Sequence, residues 1–407
     1  MTFIETAREL DAADPLAGYR ERFQLPEGVI YLDGNSLGAL PKATPTAMAR
    51  AIEQEWGEGL IRSWNEAGWF EMGQRVGAKI SPLIGAQAHE VIACDTVSAN
   101  LFKLIAAVLE MRPGRKVILS EPGNFPTDIY MIQGLERQGL AQRRLAERTA
   151  LLDALDEDVA LLMLTHAHYK SGEMFDMEAL TKAAHTKGAL VLWDLSHSTG
   201  ALPVDLNGVN ADFATGCGYK YLCGGPGAPS FAFVAERHLA DLKQPLTGWF
   251  GHARPFAFSD DYEPAPGIER LQCGTSPILG LTALEVGVDL IAEIGVSRLY
   301  SKSQALSEFF LECLAALDIE LELVSPRNSA ARGSQLSFRH SGAYAICQAL
   351  IARGVIGDFR DPDIVRLGFA PAYLRFEDMA EAARHLAEVL QSEEWRQEAF
   401  TRRATVT

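Results

Sequence analysis

GALVLWDLSH, residues 188–197, decides the fold. Ala189 to Trp193 are apolar without interruption, a run of strand length with no alternation, as expected for a strand buried on both faces. Three further runs have the same character: HEVIACD (89–95), RKVILSE (115–121) and VALLMLTH (159–166). Between them lie segments with helical periodicity, SANLFKLIAAVLEM (98–111) and DMEALTKAAHTKG (176–188), the second closed by a glycine. This alternation predicts an α/β fold built on a mostly parallel sheet with helices on both faces. Ligands bind such sheets at the carboxyl ends of the strands.

The polar residues at those ends therefore carry weight. Asp194 closes the apolar run, with His197 three residues on, and a carboxylate there needs a donor or a cation. It either caps a following helix or pairs with a protonated ring nitrogen. Thr96, Val97 and Ser98 lead from Asp95 into a helix; Ser98 reads as its N-cap, while the same helix start is suited to a phosphate. In GCGYKYLCGGPG (216–227), Lys220 stands between Tyr219 and Tyr221, 26 positions past Asp194, and the apolar stretch PSFAFVAE follows. It is either a turn lysine in solvent or an amine held for a cofactor carbonyl. An acid that protonates a pyridine and a lysine that forms an imine are what pyridoxal phosphate chemistry requires.

Composition sets outer bounds. The 407 residues are 48% hydrophobic and 22% charged, enough for a large core in two or three units. A net charge of −16 argues against a basic face for nucleic acid or an anionic membrane. No apolar run approaches the ~18 residues of a membrane span, and the acidic start MTFIETARELDAADP does not suit a targeting peptide, so a cytoplasmic protein is expected. The six cysteines include no C-x-x-C pair and read as buried reduced thiols. His166 and His168, in LTHAHYKSG, lack a third ligand type nearby, so no metal is expected.

With these residues in place the chain resembles the kynureninases, pyridoxal-phosphate enzymes of the aspartate-aminotransferase fold. The resemblance runs through YLDGNSLGALP (31–41), EWGEGLIRSWNEAGW (55–69), NFPTDIY (124–130), WDLSHSTGALPVDL (193–206), GCGYKYLCGGPG, PLTGWFGHARPF (245–256), CGTSPI (273–278) and RGVIGDFRDPDIVRLGFAPAY (353–373). It implies a PLP-dependent transferase fold of type I: an arm at 1–45 packed on the small domain and a partner subunit, a large mostly parallel domain at 46–285, and a small α+β domain at 286–407.

The resemblance also assigns roles. Lys220 would hold the cofactor as an imine, Tyr219 would contact its phosphate and donate a proton, and Asp194 would pair with the ring nitrogen, supported by His197. Phe125 would stack on the ring and Asp128 lie near its nitrogen side. Val97 and Ser98 would bind the phosphate, and Thr165, Trp249 and Thr275 would complete the shell, Thr275 from the second subunit of a homodimer. Arg366 would grip the substrate's α-carboxylate and Trp64 face its aryl ketone. In animal relatives a histidine and an asparagine stand where this chain has Trp64 and Thr275, which favours kynurenine over its 3-hydroxy form. The implied reaction is hydrolysis of L-kynurenine to anthranilate and L-alanine, in tryptophan breakdown or NAD synthesis. A cysteine desulfurase or class V aminotransferase is the rival enzyme, and a cofactor-holding protein without the reaction is the rival outside catalysis.

Overall fold

The computed structural model describes residues 3–403. Its centre is a seven-stranded sheet of β1 (Val91–Ala93), β2 (Val117–Ser120), β3 (Gln142–Leu145), β4 (Val159–Thr165), β5 (Leu190–Asp194), β6 (Phe213–Cys217) and β7 (Ser230–Val234), in the spatial order β1-β7-β6-β5-β4-β2-β3. All neighbours are parallel except at β7, which runs antiparallel to both β6 and β1. The period of two assigns the faces. Leu161, Met163, Leu190 and Leu192 pack with Leu104, Ile105, Ile132 and Leu135 on one side, while Leu162, Leu164, Val191 and Trp193 join Leu180, Leu284 and Val288 on the other. Both faces are covered, so the strands can be apolar throughout.

The first expected strand is shorter than 89–95. It stops at Ala93 because Asp95 takes a left-handed conformation (φ 49°) that ends the ladder and turns the chain into α1 (Val97–Met111). The cap of α1 is also shifted. Thr96, not Ser98, is the N-cap, its Oγ1 accepting from Ala99 N at 3.3 Å, because Ser98 already lies within the first turn.

A smaller sheet of β8 (Glu322–Leu323), β9 (Gln335–Arg339), β10 (Asp358–Arg360) and β11 (Ile364–Gly368) forms the second unit, in the order β8-β9-β11-β10. It is antiparallel throughout. Helix Ile278–Ile294 links the two units and is continuous through residues 285 and 286, where the domain division was expected; the chain turns at Gly295, with φ 90°.

The amino-terminal residues are stitched to the small unit. The Asp11 carboxylate accepts from the amides of Phe376 and Glu377 at 2.7 and 2.9 Å, capping helix Phe376–Gln391. Ile30–Tyr31 pairs in parallel with Val355–Ile356, and Gly368 N donates to Leu32 O at 2.7 Å. The segment then passes the lysine loop, where Gly38 N donates to Tyr219 O at 2.8 Å. A Cβ on Gly38 would stand 2.2 Å from the Lys220 carbonyl oxygen, so only glycine fits this approach. Among the described residues no helix is long and apolar enough to cross a membrane. The ends of the expected arm and small domain, residues 1–2 and 404–407, lie outside the described residues.

Candidate active site

A cavity of about 250 Å³ opens at the carboxyl ends of β4, β5 and β6. Val97, Ser98, Phe125, Thr165, Asp194, His197, Tyr219 and Lys220 all line it, as the sequence led us to expect. Thr96, Tyr169, Ser196 and Cys217 line it too. Thr165 and Asp194 are register partners at the ends of adjacent strands, which places them side by side on one face.

The Lys220 Nζ is buried, 2.9 Å from His197 Nε2 and 5.7 Å from the centre of the Phe125 ring. Burial first, and then the Lys220 charge, hold the His197 imidazole well below the usual histidine range. The neutral ring accepts from Lys220 at Nε2 and carries its proton on Nδ1, which is buried without a partner among the described residues.

Asp194 Oδ1 accepts from Ser196 N at 2.8 Å and Ser196 Oγ at 2.6 Å. Burial pushes the carboxyl of Asp194 up, against these hydrogen bonds and the Lys220 charge. Asp128 lies behind the cavity wall, fully buried, with Oδ1 unpartnered. The Thr165 hydroxyl, which donates to Asn124 Oδ1 at 2.6 Å, is 3.2 Å from its Oδ2. Burial, followed by the neighbouring Asp194 charge, raises Asp128 far above the carboxylate range. Two acids thus stand near one lysine in a dry place. A cationic ring nitrogen would settle them.

Helix α1 completes the setting. The amides of Val97 and Ser98 precede the first intrahelical bond, Asn100 N to Thr96 O at 2.9 Å, and face an anion with the positive end of the helix. Tyr219 keeps its proton, since burial raises its phenol. The cavity thus offers amides for a phosphate, acids for a ring N–H, an unpartnered imidazole N–H and an amine for an aldehyde. These residues fit pyridoxal phosphate.

Three expected residues lie elsewhere. Trp249 is 42% exposed, packed edge-on against Phe250 and Phe256, and Thr275 is exposed. Trp64 sits edge-on to Trp69 at 5.7 Å and Phe250 at 5.6 Å, within the same aromatic group. None of the three lines the cavity of this subunit. Arg366 is buried beside the site; its Nη1 donates at 2.7 Å to the carbonyl of Tyr169, whose ring borders the cavity.

Sequence reasoning missed Ser196 and Tyr169. The aspartate-x-serine spacing at 194–196, typical of a side chain turned onto the backbone two residues on, was the available signal for the first. Tyr169 had none. His166 and His168 are engaged singly: His166 Nδ1 is 2.9 Å from Ser198 Oγ, and His168 Nε2 donates to Gly123 O at 2.9 Å. Among the described residues no three metal-ligating side chains cluster.

Residues 299–386 match the family model of the kynureninase C-terminal domain. A kynureninase of Burkholderia mallei strain SAVP1 is 50% identical over 412 residues, covering 99% of both chains. The chain belongs to the kynureninase family. A kynureninase of Pseudomonas fluorescens is 48% identical over the whole of both chains. Among solved structures, a cysteine desulfurase of Thermococcus onnurineus NA1 superposes with a TM-score of 0.80 at 20% identity, over 92% of this chain and 98% of its own. The lyase C-DES, with glycine covalently linked to its PLP cofactor, gives 0.80 at 18%, over 91% and 99%. At such identities the likeness concerns the fold, which is that of PLP-dependent enzymes of fold type I.

The thiols of this kynureninase-family chain separate it from those neighbours in chemistry. Burial raises all six, Cys94, Cys223 and Cys313 to about 12, with Cys217, Cys273 and Cys347 also shifted upward. A sulfur-accepting nucleophile needs the thiolate. None of these is poised to be one.

Proposed function

We propose that the chain is a pyridoxal-phosphate-dependent hydrolase that cleaves L-kynurenine to anthranilate and L-alanine. The observation that carries this reading is Lys220 in the cavity between His197 and the Asp194 and Asp128 acids, in a chain half identical to named kynureninases. When bound, the cofactor supplies an aldehyde for the substrate amine and a ring that delocalises the electron pair left at carbon.

The chain's residues do the rest. Lys220, joined to the cofactor before substrate arrives, becomes a free amine that takes the α-proton and hands it on. Asp194 keeps the ring nitrogen charged, while the amides of Val97 and Ser98 hold the phosphate and Phe125 covers the ring. Tyr219, its phenol protonated, gives a proton to the substrate's β-carbon. The water balance is simple: the acyl carbon gains hydroxyl and leaves as anthranilate, and the β-carbon gains hydrogen and leaves in alanine.

Arg366 binds the α-carboxylate, as the likeness to the family suggests. Trp249, Thr275 and Trp64 act across a homodimer, reaching the partner's cavity from the aromatic group around Phe250; this accounts for Trp249, Phe256 and Phe258 being 42, 64 and 81% exposed in a single chain. The division into arm, large domain and small domain follows, with the break at Gly295 because the helix through 285 is continuous. Trp64 and Thr275 favour kynurenine over 3-hydroxykynurenine.

Purified protein supplied with pyridoxal phosphate should release fluorescent anthranilate from L-kynurenine, faster than product appears from the 3-hydroxy form. Borohydride followed by peptide mapping should place the reduced tag on Lys220. A protein that takes up the cofactor and releases cysteine sulfur but no anthranilate would favour the desulfurase instead.

A further inference from the structure

Arg366 is not a free guanidinium awaiting a ligand. Its Nε donates to Asp358 Oδ1 at 2.8 Å, and its Nη2 donates to Asp358 Oδ2 and, at 2.7 Å, to Ser36 Oγ. Arg360 joins from the neighbouring strand: its Nη2 donates to Asp358 Oδ2 at 2.6 Å and lies 3.2 Å from Ser36 Oγ, while its Nε is buried without a partner. Asp33 completes the group from the amino-terminal arm. Its Oδ1 is buried, makes no hydrogen bond and stands 3.9 Å from Arg366 Nη2. Two arginines and two aspartates thus meet around one serine hydroxyl, beside the cavity that holds Lys220.

We propose that Asp33 is a positioning residue for substrate binding: it shares one proton with Asp358, which leaves Arg360 and Arg366 one positive charge in excess, and loss of that proton weakens the hold on the substrate's carboxylate. The inference rests on the reading of Arg366 as the carboxylate-binding residue. The count is direct. With the proton present, two cations face one anion, and a substrate carboxylate restores balance; without it, the incoming carboxylate is the third anion for two cations.

The surroundings support this assignment. Burial, followed by the Asp358 charge, pushes the Asp33 carboxyl up to about 7, Ser36 and Arg366 opposing. The other titratable groups that feel the cluster stay neutral around that pH. Burial raises the phenols of Tyr31, Tyr169, Tyr221 and Tyr373 and the thiol of Cys347, and lowers the imidazole of His197. Ser36 has no charge to change. The acid pair is therefore the group whose titration alters the charge facing the substrate. Removing Asp358 instead would strip Arg366 of its bidentate partner, so Asp33 is the informative position.

The test compares wild-type holoenzyme with Asp33→Asn, whose amide keeps the neutral form at every pH. The KM for L-kynurenine in the wild type should rise roughly tenfold from about pH 7 to about pH 8.5, and in Asp33→Asn this rise should vanish while kcat keeps its profile. Infrared difference spectra over the same range should show a protonated carboxyl disappearing in the wild type and not in the variant. A variant that retains the wild-type rise in KM, or a wild type with a flat KM and no carboxyl signal, overturns the proposal. The infrared titration needs no turnover. A normal titration in protein that releases no anthranilate would overturn the proposed activity alone.

Discussion

The Nζ of Lys220 lies 2.9 Å from Nε2 of His197, with both side chains buried. The pair fixes the imidazole tautomer and aims its remaining N–H into the cofactor cavity. Lys220→Ala should therefore lower kcat for anthranilate release by on the order of 10³ or more, since it removes both the covalent anchor and the proton carrier. Steady-state fluorescence checks this, and an active variant would mean that another group carries the amine chemistry.

Asp194 differs from Asp128 in what it touches. The first borders the cavity, and the second stands behind it next to Thr165. Asp194→Asn should cost roughly 10²-fold or more in kcat and loosen the cofactor, because an amide cannot hold a ring proton as a carboxylate does. Asp128→Asn should do much less, being close in shape to the protonated acid. Equilibrium dialysis of the cofactor and single-turnover rates read both effects; equal losses would put the ring nitrogen elsewhere.

At Arg366 the informative replacement is lysine. Arg366→Lys keeps the charge but cannot span both oxygens of Asp358 and also reach Tyr169, so KM for kynurenine should rise by about 10- to 100-fold with a smaller change in kcat. An unchanged KM would remove Arg366 from the substrate's carboxylate.

If the cavity is completed across a dimer, two dead variants can repair each other. Mixing Lys220→Ala with Trp249→Ala under exchange should restore about a quarter of wild-type activity, since half the dimers are hybrids and each has one intact site. Sedimentation should give twice the chain mass. Recovery no greater than the mean of the two variants would confine the site to one subunit.

His166 provides a stability test. Buried beside Ser198, its imidazole is lowered to about 4, whereas in the unfolded chain it titrates near the ordinary value of 6.5. Below that ordinary value the unfolded state binds the extra proton and the native state does not, so stability is intact above about 6.5 and falls as the pH drops towards about 4. At pH 5 the loss from this residue should be about 2 kcal/mol, and His166→Asn should abolish that share. Urea midpoints at both pH values measure it; parallel losses in variant and wild type would contradict the assignment.

How much of this the sequence disclosed depends on how local each signal was. The strand cores at 159–165 and 190–194 and helix 97–111 were legible because unbroken apolar runs and helical periodicity are properties of adjacent residues. Lys220, Asp194 and His197 were legible for the same reason, as chemistry at strand ends. The antiparallel β7 was not, since direction depends on how the glycine loop returns the chain. The Asp33, Asp358, Arg360 and Arg366 cluster brings the arm to two distant strands, and no local pattern encodes such a meeting. The aromatic group holding Trp64 and Trp249 could be placed only by resemblance, because its role depends on a surface outside the single chain.

The arm has a consequence for biosynthesis. Asp11, Ile30 and Leu32 leave the ribosome first, yet their hydrogen-bonding partners at 355–377 are translated last. The opening residues must therefore wait, solvated and unpaired, while the large sheet assembles behind them. Closure of the carboxylate cluster is then a late event that only a finished polypeptide can undergo, so an incomplete nascent chain cannot acquire a working substrate site.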